Sequence, residues 1–230
     1  GGNLNTGRPH LGGFGATNSA HIATGGHKAS APNRYDLTEE YNGSAWSEVG
    51  DLNTAREAFG SAGATSTAGI IFSGYEAPPP SLVSQKTEEW NGSAWSEEGD
   101  LNDQRYLVGG FGTSTSAIAA TGYDGTTNVS NVESWDGSSW TEITEVNTPR
   151  RQSIGAGASN TSGFITAGKE PSVSAKTEEW NGSAWTESGD LNTARQESGS
   201  HGAGGVSDGL VMAALNASGT ALTVTESYDG

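Results

Sequence analysis

A short phrase recurs along the chain: an aromatic residue, Asn-Gly or Asp-Gly, two small residues and a tryptophan. Complete copies begin at Tyr41, Trp90, Trp135 and Trp180 and end at Trp46, Trp95, Trp140 and Trp185, and a fifth opens as Tyr228-Asp229-Gly230. Successive copies start 49, 45, 45 and 48 residues apart. A repeat of this length accommodates four short strands, and such a unit buries its faces only against its neighbours. The sequence therefore predicts an all-β chain forming one domain, a five-bladed β-propeller of four-stranded antiparallel blades. The blades fall at about 8–49, 56–98, 105–143, 150–188 and 195–230, the last lacking its outer strand unless that strand comes from outside this sequence.

Within a unit the turn signals separate four strands, a to d from the axis outward. Strand a is rich in small residues, as in Leu11-Gly12-Gly13, Val108-Gly109-Gly110 and Ser198-Gly199-Ser200, which suits a crowded axis; in the second unit it is expected to run on from Arg56. Strand b is apolar on both faces (Ile70-Ile71-Phe72, Phe164-Ile165, Leu210-Val211-Met212), as for a strand buried between blades. Asn-Gly between strands c and d predicts a type I′ hairpin turn, and the tryptophan after it is expected to cover the outer part of the seam between blades. No segment carries a helical period.

The 35 glycines recur at fixed places in the repeats rather than marking disorder. With four lysines, seven arginines and a net charge of −16, the chain lacks the basic footprint that nucleic acid or an anionic membrane requires. No apolar run is long enough to insert in a membrane, and the absence of cysteine excludes disulfides and thiolate metal sites. The chain starts at Gly1 rather than at a methionine and is read as part of a larger chain or assembly.

A glycine position after an apolar strand (Gly25-Gly26, Gly74, Gly122, Gly168), an aromatic, a tryptophan and then an arginine opening the next unit together resemble the kelch repeat. The near-identical Thr-Glu-Glu-Trp-Asn-Gly-Ser-Ala-Trp copies and the acidic, lysine-poor composition are similar to kelch-like propellers of marine phages and bacteria. That resemblance implies an extracellular or virion-surface location, in an adhesin or tail fibre. Only the first unit keeps both glycines, and Ala213-Ala214 replace them in the fifth.

Glu39, Glu88, Glu133, Glu178 and Glu226 occur once per unit, matched by Arg8, Arg56, Arg105, Arg150 and Arg195. They are read as structural ion pairs rather than as acid/base groups or a cation ring, because buried charges need partners. The second acid of the triplet (Glu40, Glu89, Glu179) is read as solvated edge charge. The four histidines have no metal-ligand spacing, so neither a metal nor another cofactor is expected. The b–c loops vary while the c–d turns do not, and variable loops on a rigid scaffold carry recognition. The candidate ligand-binding residues are His27, Lys28, Arg34, Tyr35, Tyr75, Tyr123, Asp124 and Lys169. The expected function is non-catalytic recognition of a glycan or protein surface on the b–c side, the alternative being a purely structural propeller that decorates a virion or cell surface. An enzyme is disfavoured because no catalytic constellation in the sequence breaks the repeat symmetry.

Overall fold

The computed structural model describes residues 2–28, 34–76, 82–197, 206–212 and 214–230. Its first blade is β1 (Gly12–Thr17), β2 (Ala20–Thr24), β3 (Thr38–Tyr41) and β4 (Trp46–Glu48). A short strand β5 (Arg56–Glu57) precedes β6 (Gly60–Thr65) and β7 (Ala68–Phe72), and β8 (Tyr75–Glu76) precedes β9 (Thr87–Trp90) and β10 (Trp95–Glu97). The third blade is β11 (Gly109–Thr113), β12 (Ser116–Ala120), β13 (Val132–Trp135) and β14 (Trp140–Ile143). The fourth is β15 (Ile154–Ser159), β16 (Ser162–Thr166), β17 (Thr177–Trp180) and β18 (Trp185–Glu187). Each of these blades is a four-stranded antiparallel meander, and β19 (Gly209–Met212) pairs with β20 (Thr225–Tyr228) in a two-stranded sheet. No helix occurs among the described residues.

Three sequence expectations are corrected. Five four-stranded blades were expected and four are present; the fifth unit shows two strands, and its expected strand a at 198–200 lies outside the described residues. The strand expected to run on from Arg56 is split at Ala58, whose φ of 56° turns the chain; β5 then pairs with β8 instead of with the blade. The c–d turn is not type I′. Gly43, Gly92, Gly137 and Gly182 have positive φ while the preceding residues do not. The Asn42 side-chain oxygen instead accepts from the Ser44 and Ala45 amides at 3.0 and 3.1 Å, an Asx-type closure of a four-residue loop.

Successive inner strands pack on one another, β1 on β6, β6 on β11 and β11 on β15. A Cβ on Gly155 would come within 2.5 Å of the Gly110 carbonyl oxygen, so this approach requires glycine. Strand b alternates between seams: Ile22 of the first blade meets Ile71 of the second beneath Trp90 and Trp95, and Ile118 of the third meets Ile165 of the fourth beneath Trp180 and Trp185. The outer tryptophans pack edge-on against a phenylalanine of the preceding blade, Trp95 on Phe14 at 6.1 Å, Trp140 on Phe72 at 4.8 Å and Trp185 on Phe111 at 6.4 Å. Their indole N–H groups donate to that blade at Thr38 Oγ1, Thr87 Oγ1 and the Thr144 carbonyl. At the next seam Tyr228 covers Phe164 with ring centroids 4.6 Å apart. Burial and the Glu179 carboxylate raise the Tyr228 hydroxyl to about 12. Glu179 thus belongs to this seam and is not a solvated edge charge. Glu89 departs from that expectation as well, its carboxyl raised by burial and by nearby Glu98 against an opposing Ser114 hydrogen bond. Leu210 and Met212, which alternate with buried Val211 along β19, remain 41 % exposed.

Five ion pairs join the start of each unit to its strand c: Arg8–Glu39 at 2.5 Å, Arg105–Glu133 at 2.8 Å, and the closer pairs Arg56–Glu88, Arg150–Glu178 and Arg195–Glu226. Each glutamate also accepts from the linker. Oε2 of Glu133 receives the Asn102 amide at 2.7 Å and its side-chain nitrogen at 2.8 Å, and Glu39, Glu88, Glu178 and Glu226 receive the amides of Asn5, Asn53, Asn147 and Asn192. Burial pushes the Glu39 carboxyl up, but Arg8 and the linker amides outweigh it and hold the group below its usual range. Glu226 behaves in the same way with Asn192 and Arg195.

Two stability predictions follow from these contacts. Glu133→Ala leaves a buried guanidinium and two linker N–H groups without their acceptor, and is expected to cost about 3–5 kcal/mol in urea unfolding. The position after strand b is glycine at Gly26, Gly74, Gly122 and Gly168 with φ of 96–125°, whereas Ala214 holds φ 132°. Ala214→Gly is expected to relieve about 1 kcal/mol of net strain, read as a rise of a few degrees in melting temperature.

Candidate functional site

The antiparallel order of each blade puts the b–c loops and d–a linkers at one end and the a–b and c–d turns at the other. At the loop end every unit repeats one backbone frame. The residue after each repeat arginine, here called the shoulder, faces the first residue of the b–c loop. The pairs are Pro9 with His27, whose amide donates to the Pro9 carbonyl at 2.9 Å, Glu57 with Tyr75, Tyr106 with Tyr123, Arg151 with Lys169, and Gln196 with Leu215. The loop then returns on its own first residue, as in the bridges Tyr75–Val83, Tyr123–Asn128, Lys169–Val173 and Leu215–Ala221.

The next residue along is His10, Ala58, Leu107, Gln152 or Glu197, each with φ of 56–58°. These five form a collar around the axis. The Ala58 amide donates to the His10 carbonyl at 3.1 Å, Leu107 to Ala58 at 2.6 Å and Gln152 to Leu107 at 2.8 Å, while the Gln152 side-chain amide donates to Glu197. The collar, with Leu11, Phe59, Val108 and Ser153, lines a cavity of about 270 Å³ at the axial mouth.

On this uniform frame the side chains differ from unit to unit. Tyr75, Tyr106 and Tyr123 form a run of rings with centroids 5.2 and 5.6 Å apart. Arg34 lies over Tyr75 at 4.5 Å and Arg151 over Tyr123 at 4.7 Å, so a guanidinium caps each end of the run. Glu57 anchors the first end: Oε1 accepts from Arg34 Nε at 2.9 Å and Oε2 lies 3.1 Å from His10 Nδ1. His27 Nδ1 is 3.2 Å from the same oxygen without the alignment of a hydrogen bond. A separate polar pocket of about 280 Å³ beside the third unit's loop is lined by Asp103, Arg105, Asp124 and Asn131 among others.

The hydrogen bond to Glu57 raises the His10 pKa against the opposing effect of burial, with the charges of Glu57 and Glu197 adding to it. Burial pushes Glu57 up, but His10, His27 and Arg34 outweigh it and hold the carboxyl low. Burial and the neighbouring tyrosines raise the Tyr106 hydroxyl. Among the described residues no cluster of three or more histidine, aspartate or glutamate side chains has metal-binding geometry.

The candidate residues read from the sequence all lie at the loop end. His27, Arg34, Tyr75 and Tyr123 join the stripe, and Lys169 borders it through its bridge to Arg151. Lys28 sits over Tyr35, 4.7 Å from the ring centroid, in a pair of its own. Asp124 closes its own turn, accepting from the Thr126 and Thr127 amides at 2.6 and 2.7 Å. Sequence reasoning missed Glu57, Tyr106, Arg151 and the collar. Their signal was present, since they are the varying residues directly after each repeat arginine. The His10–Glu57 pair also breaks the repeat symmetry, which the sequence reading had found intact.

No family model matches the chain, and no curated protein matches it in sequence. Solved structures do share its fold. One is the structure of YjhT, which superposes with a TM-score of 0.77 over 95 % of this chain and 80 % of that one at 12 % identity. With the four-stranded blades, this similarity defines the chain as a β-propeller.

The His10–Glu57 pair makes a pH prediction. A raised histidine pKa contributes stability that is full below the unfolded value of about 6.5 and is lost as pH rises through the folded value. The lowered Glu57 contributes above its unfolded value and loses its contribution as pH falls through the folded one. In an NMR titration the His10 midpoint is expected above 6.5 and should fall toward it in Glu57→Gln.

Proposed function

We propose that this propeller is a non-catalytic recognition module with kelch-like repeats that binds a glycan or protein surface through its b–c face. A phage-fibre or surface-adhesin role outside the cell suits that reading. The observation that carries it is the contrast within each unit. The backbone frame of shoulder, collar and loop entry repeats, while its side chains change from Pro9-His10 to Glu57-Ala58 to Tyr106-Leu107 to Arg151-Gln152. Structure alone explains the frame, whereas ring faces between two guanidinium groups supply what recognition requires. The axial cavity of about 270 Å³ is small for an enclosed substrate site, which favours a surface reading part of a larger molecule. His10 and Arg34 engage Glu57 on both oxygens, tying that carboxylate into ion pairs rather than leaving it as a free base.

A structural or decorating role is the second reading. It is favoured by Leu210 and Met212 of β19, which are 41 % exposed. Glycan and protein arrays separate the two. Recognition predicts selective binding that weakens about tenfold, or about 1.4 kcal/mol, in Tyr106→Ala with an unchanged melting temperature. Absence of binding, together with self-association in sedimentation, would put the structural role first.

A further inference from the structure

The distribution of positive charge narrows the ligand class. Of the eleven lysines and arginines, five are consumed in the buried ion pairs. The other six, Lys28, Arg34, Lys86, Arg151, Lys169 and Lys176, all lie in b–c loops or at a shoulder, and so at one end of a chain with net charge −16. Solubility does not require this segregation. Arg34 is satisfied by Glu57, Lys86 lies 3.8 Å from Glu76, and Lys176 lies 3.9 Å from Glu170. Arg151 and Lys169 have no carboxylate within 4.0 Å among the described residues.

These two cations face each other directly. Arg151 and Lys169 exchange backbone hydrogen bonds of 3.0 and 2.7 Å across an antiparallel bridge. Like charges directly opposite in such a pair repel and destabilise it. No other unit carries two cations at these positions, so the frame does not demand them. The Arg151 guanidinium is nevertheless held in place: it lies over the Tyr123 ring and donates through Nη1 to Asn128 Oδ1 at 3.2 Å. Asn128 is fixed in turn by its donation to the Lys169 and Glu170 carbonyls at 2.9 and 3.2 Å. Glu170 accepts from Ser174 and approaches Lys176, and it forms no ion pair with Arg151 or Lys169. The remaining guanidinium N–H groups of Arg151 have no acceptor among the described residues. A guanidinium fork beside an ammonium is a receptor for a planar or tetrahedral oxyanion. Next to it, Tyr106 is the ring of the run that neither guanidinium covers, a platform for the apolar face of a sugar.

We propose that the Tyr123–Asn128–Arg151–Lys169 corner binds the carboxylate or sulfate of an acidic sugar residue whose ring, or that of its neighbour, lies on Tyr106. This rests on the recognition reading above and adds the charge of the ligand. The test is calorimetric titration of the full chain with three oligosaccharides of one linkage: an α-1,4 galacturonic acid trimer, the neutral galactose trimer, and the galactose trimer sulfated at O6. An acidic trimer is expected to bind at least tenfold more tightly than the neutral one, with a preference that shrinks as salt is raised. Which acidic trimer binds best identifies the oxyanion. Arg151→Gln/Lys169→Gln is expected to abolish the preference and to melt no lower than wild type because a repulsion is removed. Equal binding of neutral and acidic trimers would overturn the charge assignment and leave the recognition reading standing. An acidic preference that survives the double substitution would overturn the assigned corner. Binding of a poly-glutamate peptide but of no trimer would overturn the sugar assignment, and binding to no array component would remove the recognition reading and this proposal together.

Discussion

The whole propeller depends on a buried carboxylate that holds a strand and a linker together. Each linker crosses from the outer strand of one blade to the inner strand of the next, and its backbone donors need acceptors where no strand can pair with them. The glutamate two residues before the aromatic supplies those acceptors, and the arginine that ends the linker neutralises the charge it brings inside. Such a pair is poor evidence of stability, since desolvation cancels much of its Coulombic gain. Its value here is geometric. It sets where each linker turns inward, and so where shoulder and collar begin.

That fixed starting point explains why the loop end can vary. The ladder of shoulder, loop entry and loop return is made of backbone hydrogen bonds, which do not depend on side-chain identity. Glu57 and Tyr75 occupy the same register as Arg151 and Lys169. Sequence change at this end therefore alters chemistry with little cost to the fold. The tryptophan seams have no such freedom, because Trp95, Trp140 and Trp185 are each matched to a phenylalanine and a hydrogen-bond acceptor on the preceding blade.

Much of the architecture was legible because repetition multiplies weak signals. One Tyr-Asn-Gly-Ser-Ala-Trp phrase suggests a turn, and four evenly spaced copies define blades. The type I′ turn was misread because Asn-Gly alone does not distinguish two positive φ values from one glycine closed by an asparagine side chain. The fifth blade was overread because Tyr228-Asp229-Gly230 repeats the opening of the phrase, while the local signals of that unit weaken, with alanine at the glycine position and Leu210 and Met212 exposed. Within the site, the loop residues were found by their variability. The shoulder and collar were missed because they sit beside an invariant arginine and were counted as scaffold, although their alternation of histidine, alanine, leucine, glutamine and glutamate carried the same message.

The collar also limits what this face can become. A φ near 57° brings the backbone against any side chain branched at Cβ, and none of His10, Ala58, Leu107, Gln152 and Glu197 is so branched. Valine and isoleucine are therefore disfavoured at the axial mouth, and proline is excluded by its fixed negative φ. Diversification there draws on a reduced alphabet of flexible, unbranched side chains, which adapt to a guest at the expense of conformational entropy. The shoulder and loop-entry positions are extended and tolerate rigid rings and branched residues. The ring thus carries a pliant centre inside a stiffer rim, a division imposed by one backbone angle repeated five times.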